Sequence, residues 1–165
     1  MGIASAVQAA TSWWAVYYSD HQMVSAFVGY LHLVGLMVGG GTALAIDRQV
    51  LASARRGDTG RRATALAALR GSHTVVIPAL ALVVATGALM TVADLSTFLG
   101  SQLFWTKMVL VGLLFANGAG LVAAERAYVV SEQVTVWRRL VAVSGASFCL
   151  WLITLWMGVW LAVAA

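Results

Sequence analysis

The stretch from Met23 to Ile46, MVSAFVGYLHLVGLMVGGGTALAI, contains one histidine and no arginine, lysine or acidic residue. A hydrocarbon core of about 30 Å is crossed by roughly 20 helical residues, so this stretch is long enough to span a membrane. Its apolar residues run together instead of alternating with polar ones, which excludes a strand of a membrane barrel. The stretch therefore predicts a transmembrane helix.

Three further stretches have the same character and are predicted as spans, at about 74–93, 103–124 and 140–164. Residues of the AVILMFWYC set make up 61% of the 165-residue chain and charged residues 10%, whereas about a quarter of a soluble domain is charged. A chain this short cannot hide so many apolar side chains from water. We predict a single all-α domain, a polytopic membrane four-helix bundle surrounded by the lipid bilayer.

The arginines predict the orientation of this bundle, because they lie in the connections that follow the first and third spans. Cytoplasmic loops carry an excess of Lys and Arg, so these connections are expected in the cytoplasm of a bacterium. Both termini are then expected on the outer side of the inner membrane. Residues Thr59–Arg70 continue the second span at helical spacing on the cytoplasmic side. The net charge of +4 is thus a topology signal, and no nucleic-acid partner is predicted.

Residues 1–22 precede the first span and carry the aromatic side chains Trp13, Trp14, Tyr17 and Tyr18. Amphipathic aromatics of this kind settle at the membrane–water interface. We predict that Ile3–Tyr18 is a helix on the outer surface. Ser19 and Asp20 are predicted to cap the first spanning helix.

His32 is the ionisable residue in the first span, and such residues within a membrane indicate function by default. Ser25, Gly29, His32, Gly35 and Gly39 recur at intervals of three or four, so they share one helix face. Two interpretations are open. The small residues let a second helix approach closely, with His32 as a hydrogen-bonded packing group. Alternatively, they leave room for a flat porphyrin beside an axial histidine.

A second metal ligand is expected among the methionines. His73 lies roughly 20 Å from His32 by helical rise, so the two cannot hold one haem. Met90, Met108 and Met157 lie closer to the level of His32. A His/Met pair suits haem, thioethers with an imidazole suit Cu(I), and methionine is also a common filler of helix bundles. Haem b, copper and no cofactor at all remain alternatives.

Lys107 is the only charged residue within the predicted spans. Either its stem extends outward to the lipid headgroups, or its ammonium group acts inside the mouth of the bundle. The absence of carboxylates from the spans argues against a proton-coupled transporter, and Asp47 is expected to form a local ion pair with Arg48. The motifs of covalent haem attachment, phosphate loops and metalloproteases are missing. A non-enzymatic role is therefore favoured.

Four short features stand out together along the chain: His32 with glycines one and two turns later, Asp47-Arg48, Phe104-Trp105-Thr106-Lys107, and Asn117. Together they resemble small bacterial four-helix membrane proteins of the copper-resistance D type and the HemJ protoporphyrinogen oxidase type, and related uncharacterised membrane proteins. The HemJ-type resemblance implies that His32 is the first-helix histidine linked to haem and that Lys107 is the later-span lysine. The Pro-Arg-Leu pattern and the later histidine of that type are absent after Gly41.

Three functional classes follow from these observations. The first is a b-type haem-binding or redox-associated membrane protein with His32 as ligand, and the cofactor-binding residues are then His32, Gly29, Gly35, Gly39 and Lys107. The second is a copper-binding or copper-transport protein that faces the periplasm, with His32, Met90, Met108 and Met157 as ligands. The third is a non-catalytic accessory subunit that docks on other membrane subunits or on a second copy of the chain.

Overall fold

The computed structural model describes the backbone of residues 3–56 and 59–164 and the side chains of residues 11–55 and 59–163. These residues form helices and no strands, which confirms the all-α prediction. The elements are α1 (Ile3–Asp20), α2 (Gln22–Gly35), a π-helical segment (Leu36–Gly40), α3 (Gly41–Arg56), α4 (Thr59–Ala93), α5 (Leu95–Gly100), α6 (Gln102–Ser131) and α7 (Val134–Ala164).

Four stretches of helix in the described chain are long and apolar enough to cross a membrane: Gln22–Arg55, Thr59–Ala93, Gln102–Ser131 and Val134–Val163. The first consists of α2, the π-helical segment and α3, which follow one another without a break. The first three predicted spans lie inside the first three of these stretches, and the fourth, 140–164, ends one residue beyond the last. Because about 20 residues cross the hydrocarbon, helices of 30 to 35 residues extend beyond it. Helix α4, which contains the second span, begins at Thr59, as its arginine and alanine spacing predicts, and continues through Pro78.

The four long helices share a core at the end of the bundle where α3 leads to α4 and α6 leads to α7, here called the arginine-rich end. This core consists of Val50, Ala65, Leu69, Ala124, Trp137 and Leu140. The guanidinium group of Arg62 lies 5.5 Å from the centre of the Trp137 ring, a distance at which the cation and the ring attract one another. The arginine-rich end is thus closed by apolar packing.

Helix α1 lies at the opposite end of the bundle, here called the α1 end. The indole Nε1 of Trp14 donates a hydrogen bond of 2.9 Å to the carbonyl oxygen of Leu89, so α1 is attached to α4. The ring of Trp13 is exposed, as expected of an interfacial aromatic. Residues 1–2 of the predicted interfacial segment lie outside the described residues.

The predicted cap of the first spanning helix is wrong. Helix α1 continues to Asp20, and the N-cap position of α2 is held by His21, which makes no capping hydrogen bond with its side chain. The Ser19 hydroxyl donates to the carbonyl oxygen of Val16 within α1 at 2.9 Å. Ser19 and Asp20 both belong to the last turn of α1, so neither side chain caps α2.

Asp94 and Ser101 define the connection from α4 to α6. A carboxylate oxygen of Asp94 accepts a hydrogen bond from the backbone N–H of Thr97 at 3.3 Å, and Ser101 accepts one from Phe104 at 3.4 Å. These are N-caps of α5 and α6. Hydrogen bonding by the Thr97 hydroxyl and N–H lowers the pKa of the Asp94 carboxyl.

Gly35 and Gly39 bring the first long helix into close contact with α4. A Cβ atom added at Gly35 would lie 2.8 Å from Val83 Cγ2 and 3.1 Å from the Ala79 carbonyl oxygen, and one at Gly39 would lie 2.9 Å from Ala79 Cβ. The space beside both glycines is therefore filled by α4. Of the two interpretations of the small-residue stripe, close helix approach describes these two positions.

Gly35→Ala is expected to lower the free energy of unfolding by about 1–3 kcal/mol, because the new methyl group overfills a contact with backbone atoms. Gly29→Ala is the matched control in the same helix, since a Cβ atom there has nothing within 4 Å, and we expect no loss of stability. Unfolding by SDS titration in mixed micelles measures both. Equal losses for the two variants would contradict this account of the helix contact.

Candidate cofactor site around His32

His32 lies in α2, half-buried, and faces α4. Its Nδ1 atom is 2.9 Å from the hydroxyl oxygen of Thr86. A Cβ atom at Gly87 would lie 3.3 Å from Cε1 of the imidazole, so the missing side chain of Gly87 makes room for the ring. Thr86 and Gly87 together position the imidazole against α4.

The hydrogen bonds of Thr86 determine which nitrogen of His32 carries the proton. A threonine hydroxyl has one proton to donate, and that of Thr86 lies 2.6 Å from the Leu82 carbonyl oxygen, which can only accept. The hydroxyl therefore accepts a hydrogen bond from Nδ1–H of His32. In a neutral imidazole, Nε2 then carries the free lone pair. His32 is thus oriented with Nε2 available as a ligand.

The ammonium group of Lys107 lies at the same end of the bundle as His32. The Nζ atom would be 3.6 Å from a Cβ atom at Gly158, so the side chain lies across α7. Lys107 is close enough to His32 for its charge to act on the imidazole. Among the described residues, no carboxylate forms an ion pair with Lys107. The site therefore combines a free imidazole nitrogen with an unpaired positive charge.

The glycines of the predicted stripe divide into two groups. Gly35 and Gly39 are covered by α4, whereas Gly29, one turn from His32 toward the α1 end, is open on its helix face. Open space beside the stripe therefore remains at Gly29. That these glycines leave room for a porphyrin beside His32 stays a prediction.

The three methionines lie on elements that surround this region. Met157 is buried in α7, next to Gly158, which contacts Lys107. Met90 follows Thr86 by four residues, so both occupy one face of α4. Met108 is half-buried in α6 and directly follows Lys107. The described residues contain no group of three His, Cys, Asp or Glu that could hold a metal ion.

Among the described residues, two buried carboxylates, Asp47 and Glu125, lie one residue beyond the predicted spans 23–46 and 103–124. Asp47 belongs to the first long helix and is buried, whereas Arg48 is exposed, and no ion pair joins them. The predicted local pair is therefore wrong, because consecutive residues on a helix point in different directions. Glu125 is buried in α6 and accepts a hydrogen bond from Arg70 Nε at 3.0 Å, with His73 Nε2 at 3.7 Å.

Sequence reasoning missed Thr86, Gly87, Trp151 and the π-helical segment. Thr86-Gly87 is a polar–small pair inside an apolar span, and a search for side chains able to hydrogen-bond His32 would have found it. The π-helical segment spans Leu36–Gly40. Gly39 was predicted as part of the small-residue stripe and of the cofactor site, but the irregularity of the helix was not predicted. Asn117 was noted and donates a hydrogen bond to the Val143 carbonyl oxygen at 3.2 Å across α6 and α7.

The fold defines a class: the chain is a multi-pass helical membrane protein, with four apolar helices able to span and a polar site between them. Comparisons with protein-family models, with curated proteins and with solved structures found no match.

Proposed function

We propose that this chain is a b-type haem-binding, redox-associated membrane protein in which His32 is the axial ligand. The observation that carries the proposal is the hydrogen bond from His32 Nδ1 to Thr86. Histidines that ligate metals almost always donate their other ring N–H to an oxygen, which fixes the tautomer and the ring orientation. Thr86 supplies that acceptor, and Nε2 of His32 is left free to bind iron.

Lys107 supports haem over a bare metal ion. Haem carries two carboxylates, and a partly buried ammonium group without a counter-charge is suited to bind one of them. When bound, haem supplies one-electron transfer through its iron. The protein's part is to supply the axial nitrogen from His32, to hold that ring by Thr86 and Gly87, and to balance a carboxylate by Lys107.

The methionines and glycines take different parts in this proposal. Met90, Met108 and Met157 would be the candidates for a second ligand to the iron, because a thioether together with an imidazole would raise the potential of haem iron. Gly29 leaves open space near the ring, and Gly35 and Gly39 position the helix that carries His32.

The proposal also places the arginine-rich end in the cytoplasm of a bacterial cell, since cytoplasmic loops carry excess Arg and Lys.

The proposal is tested by expressing the full chain with adequate haem and recording the visible spectrum of the membrane-extracted protein. We expect a Soret band that is lost in His32→Ala and retained in His73→Ala, the matched control at the arginine-rich end. Thr86→Val removes the acceptor of Nδ1–H, and we expect haem affinity to fall by about 10- to 100-fold.

Metal analysis of the same samples separates haem from copper. Iron in proportion to the Soret band supports the proposal. Copper that is lost in His32→Ala, with no Soret band, would replace haem by a thioether–imidazole copper site. A wild-type protein without a Soret band and without either metal contradicts the proposal.

A further inference from the structure

A second polar group lies inside the bundle, between α3 and α7 and nearer the arginine-rich end than His32. It consists of Asp47, which is 1% exposed, Ser144 at 0% and Ser147 at 6%. The two hydroxyl groups lie close enough to the carboxylate to interact with it.

Two polar atoms in this group lack a hydrogen-bond partner. They are Oδ2 of Asp47 and Oγ of Ser144, both buried. Buried polar groups of proteins are nearly always paired, because an unpaired one costs free energy. Two such oxygens on facing helices indicate a place where a further group binds between them.

The charge of this group also lacks a partner. Among the described residues no ion pair includes Asp47, and Arg70 is bonded to Glu125 instead. An isolated ionised carboxylate in an apolar interior is very costly unless a counter-charge is present. Something with a positive charge is therefore required if Asp47 is ionised.

Apolar packing closes the group on both sides along the bundle. Toward the arginine-rich end lie Val50 and Leu140, which have no exposed surface. Toward the α1 end the ring of Trp151 lies over Gly40, where a Cβ atom would be 3.0 Å from the ring carbon Cζ3. Gly40 ends the π-helical segment, an irregularity that is frequent at functional sites. The polar group is thus an occluded site and not a surface patch.

We propose that Asp47, Ser144 and Ser147 bind a monovalent alkali cation, with Na⁺ as the ion of matching chemistry. Carboxylate and hydroxyl oxygens are hard ligands that suit alkali and alkaline-earth ions. One carboxylate balances one positive charge, whereas a divalent ion would leave an uncompensated charge in the apolar interior. The ion satisfies Oδ2 of Asp47 and Oγ of Ser144 at once. A proton on Asp47 would also cancel the charge, and the titration of Na⁺ against pH distinguishes a proton from a cation.

The test is a thermal-unfolding titration of the purified full chain in lipid nanodiscs, with NaCl replacing choline chloride at constant ionic strength. A ligand that binds only the folded state raises Tm in a saturable manner. We expect a rise of roughly 5 °C at saturating Na⁺. Asp47→Asn is expected to abolish the Na⁺ dependence, and Ser144→Ala to shift the half-saturating Na⁺ concentration upward by about tenfold.

Asp94→Asn is the matched control, since it removes an exposed carboxylate at the α1 end and should keep the full response to Na⁺. If Asp47→Asn does not fold, Ser147→Ala and the wild-type titration decide. A wild-type Tm that is identical in NaCl and choline chloride overturns the proposal, and so does a Na⁺ response that persists in Asp47→Asn. A Tm that does not depend on Na⁺ but depends on pH, with that pH dependence lost in Asp47→Asn, identifies a protonated Asp47 and likewise overturns it.

Discussion

Replacing Arg70 with alanine is expected to lower the free energy of unfolding by about 2 kcal/mol. The buried Glu125 carboxylate loses its counter-charge, and the solvent around the half-exposed Arg70 side chain keeps this cost below that of a fully buried pair. The Glu125 side chain is 7% exposed and accepts its hydrogen bond from Arg70 at 3.0 Å. His73 lies 3.7 Å from the other carboxylate oxygen, too far for a hydrogen bond that could replace the guanidinium. The measurement is SDS unfolding of the wild type and the variant in mixed micelles.

Arg48→Ala is the matched control for this prediction. Arg48 is an exposed arginine that forms no ion pair among the described residues, so we expect a change within about 0.5 kcal/mol. A second comparison isolates the contribution of the Glu125 charge. In a Glu125→Gln variant the carboxylate is absent, so adding Arg70→Ala should lower the free energy of unfolding by less than about 1 kcal/mol. The same cost in both backgrounds would show that Arg70 acts through its packing alone.

Trp151→Ala is expected to lower the free energy of unfolding by on the order of 2 kcal/mol, because it leaves a cavity beside the first long helix. The indole is 4% exposed and lies against Gly40 of the π-helical segment. In a bilayer, the removed side chain loses van der Waals contacts and no hydrophobic transfer energy, since lipid is as apolar as the core. The expected loss is therefore smaller than for a buried tryptophan in a water-soluble protein.

Trp156→Ala, in the same helix, is the control. Trp156 is 66% exposed and faces the surroundings of the bundle, so its removal should change stability by less than about 0.5 kcal/mol. Sequence reasoning had assigned no core role to Trp151 in particular, since all the tryptophans of α7 are equally apolar. If Trp156→Ala were as costly as Trp151→Ala, the packing of α7 derived from the structure would be contradicted.

Much of the architecture was predictable because hydropathy is a local property. An unbroken apolar run of about 20 residues crosses a bilayer as a helix whatever its neighbours are. The four predicted spans therefore lie within the four long helices, and Thr59–Arg70 continues the second one. His32 and Lys107 were found for the same reason, since a titratable group in an apolar run is visible without a structure.

The candidate site was predictable only in part, because its geometry depends on residues far apart in the chain. His32 could be named from the sequence, but its proton position follows from Thr86, 54 residues away. The glycine stripe was visible as a pattern, yet α4 covers Gly35 and Gly39 and leaves Gly29 open.

Asp47 shows the same division between sequence and tertiary structure. By sequence it is a charged residue at the end of a span, beside an arginine, and such residues are usually solvated. In the folded chain, the direction of its side chain turns it toward Ser144 and Ser147 of α7, and burial leaves its carboxylate without an arginine partner. The amino-acid sequence by itself determined that this is a four-helix membrane protein, because the cost of placing charges in lipid acts on each residue separately. Which polar groups meet inside the bundle was decided only by the packing of its helices, because a contact requires two faces that hydropathy alone does not orient.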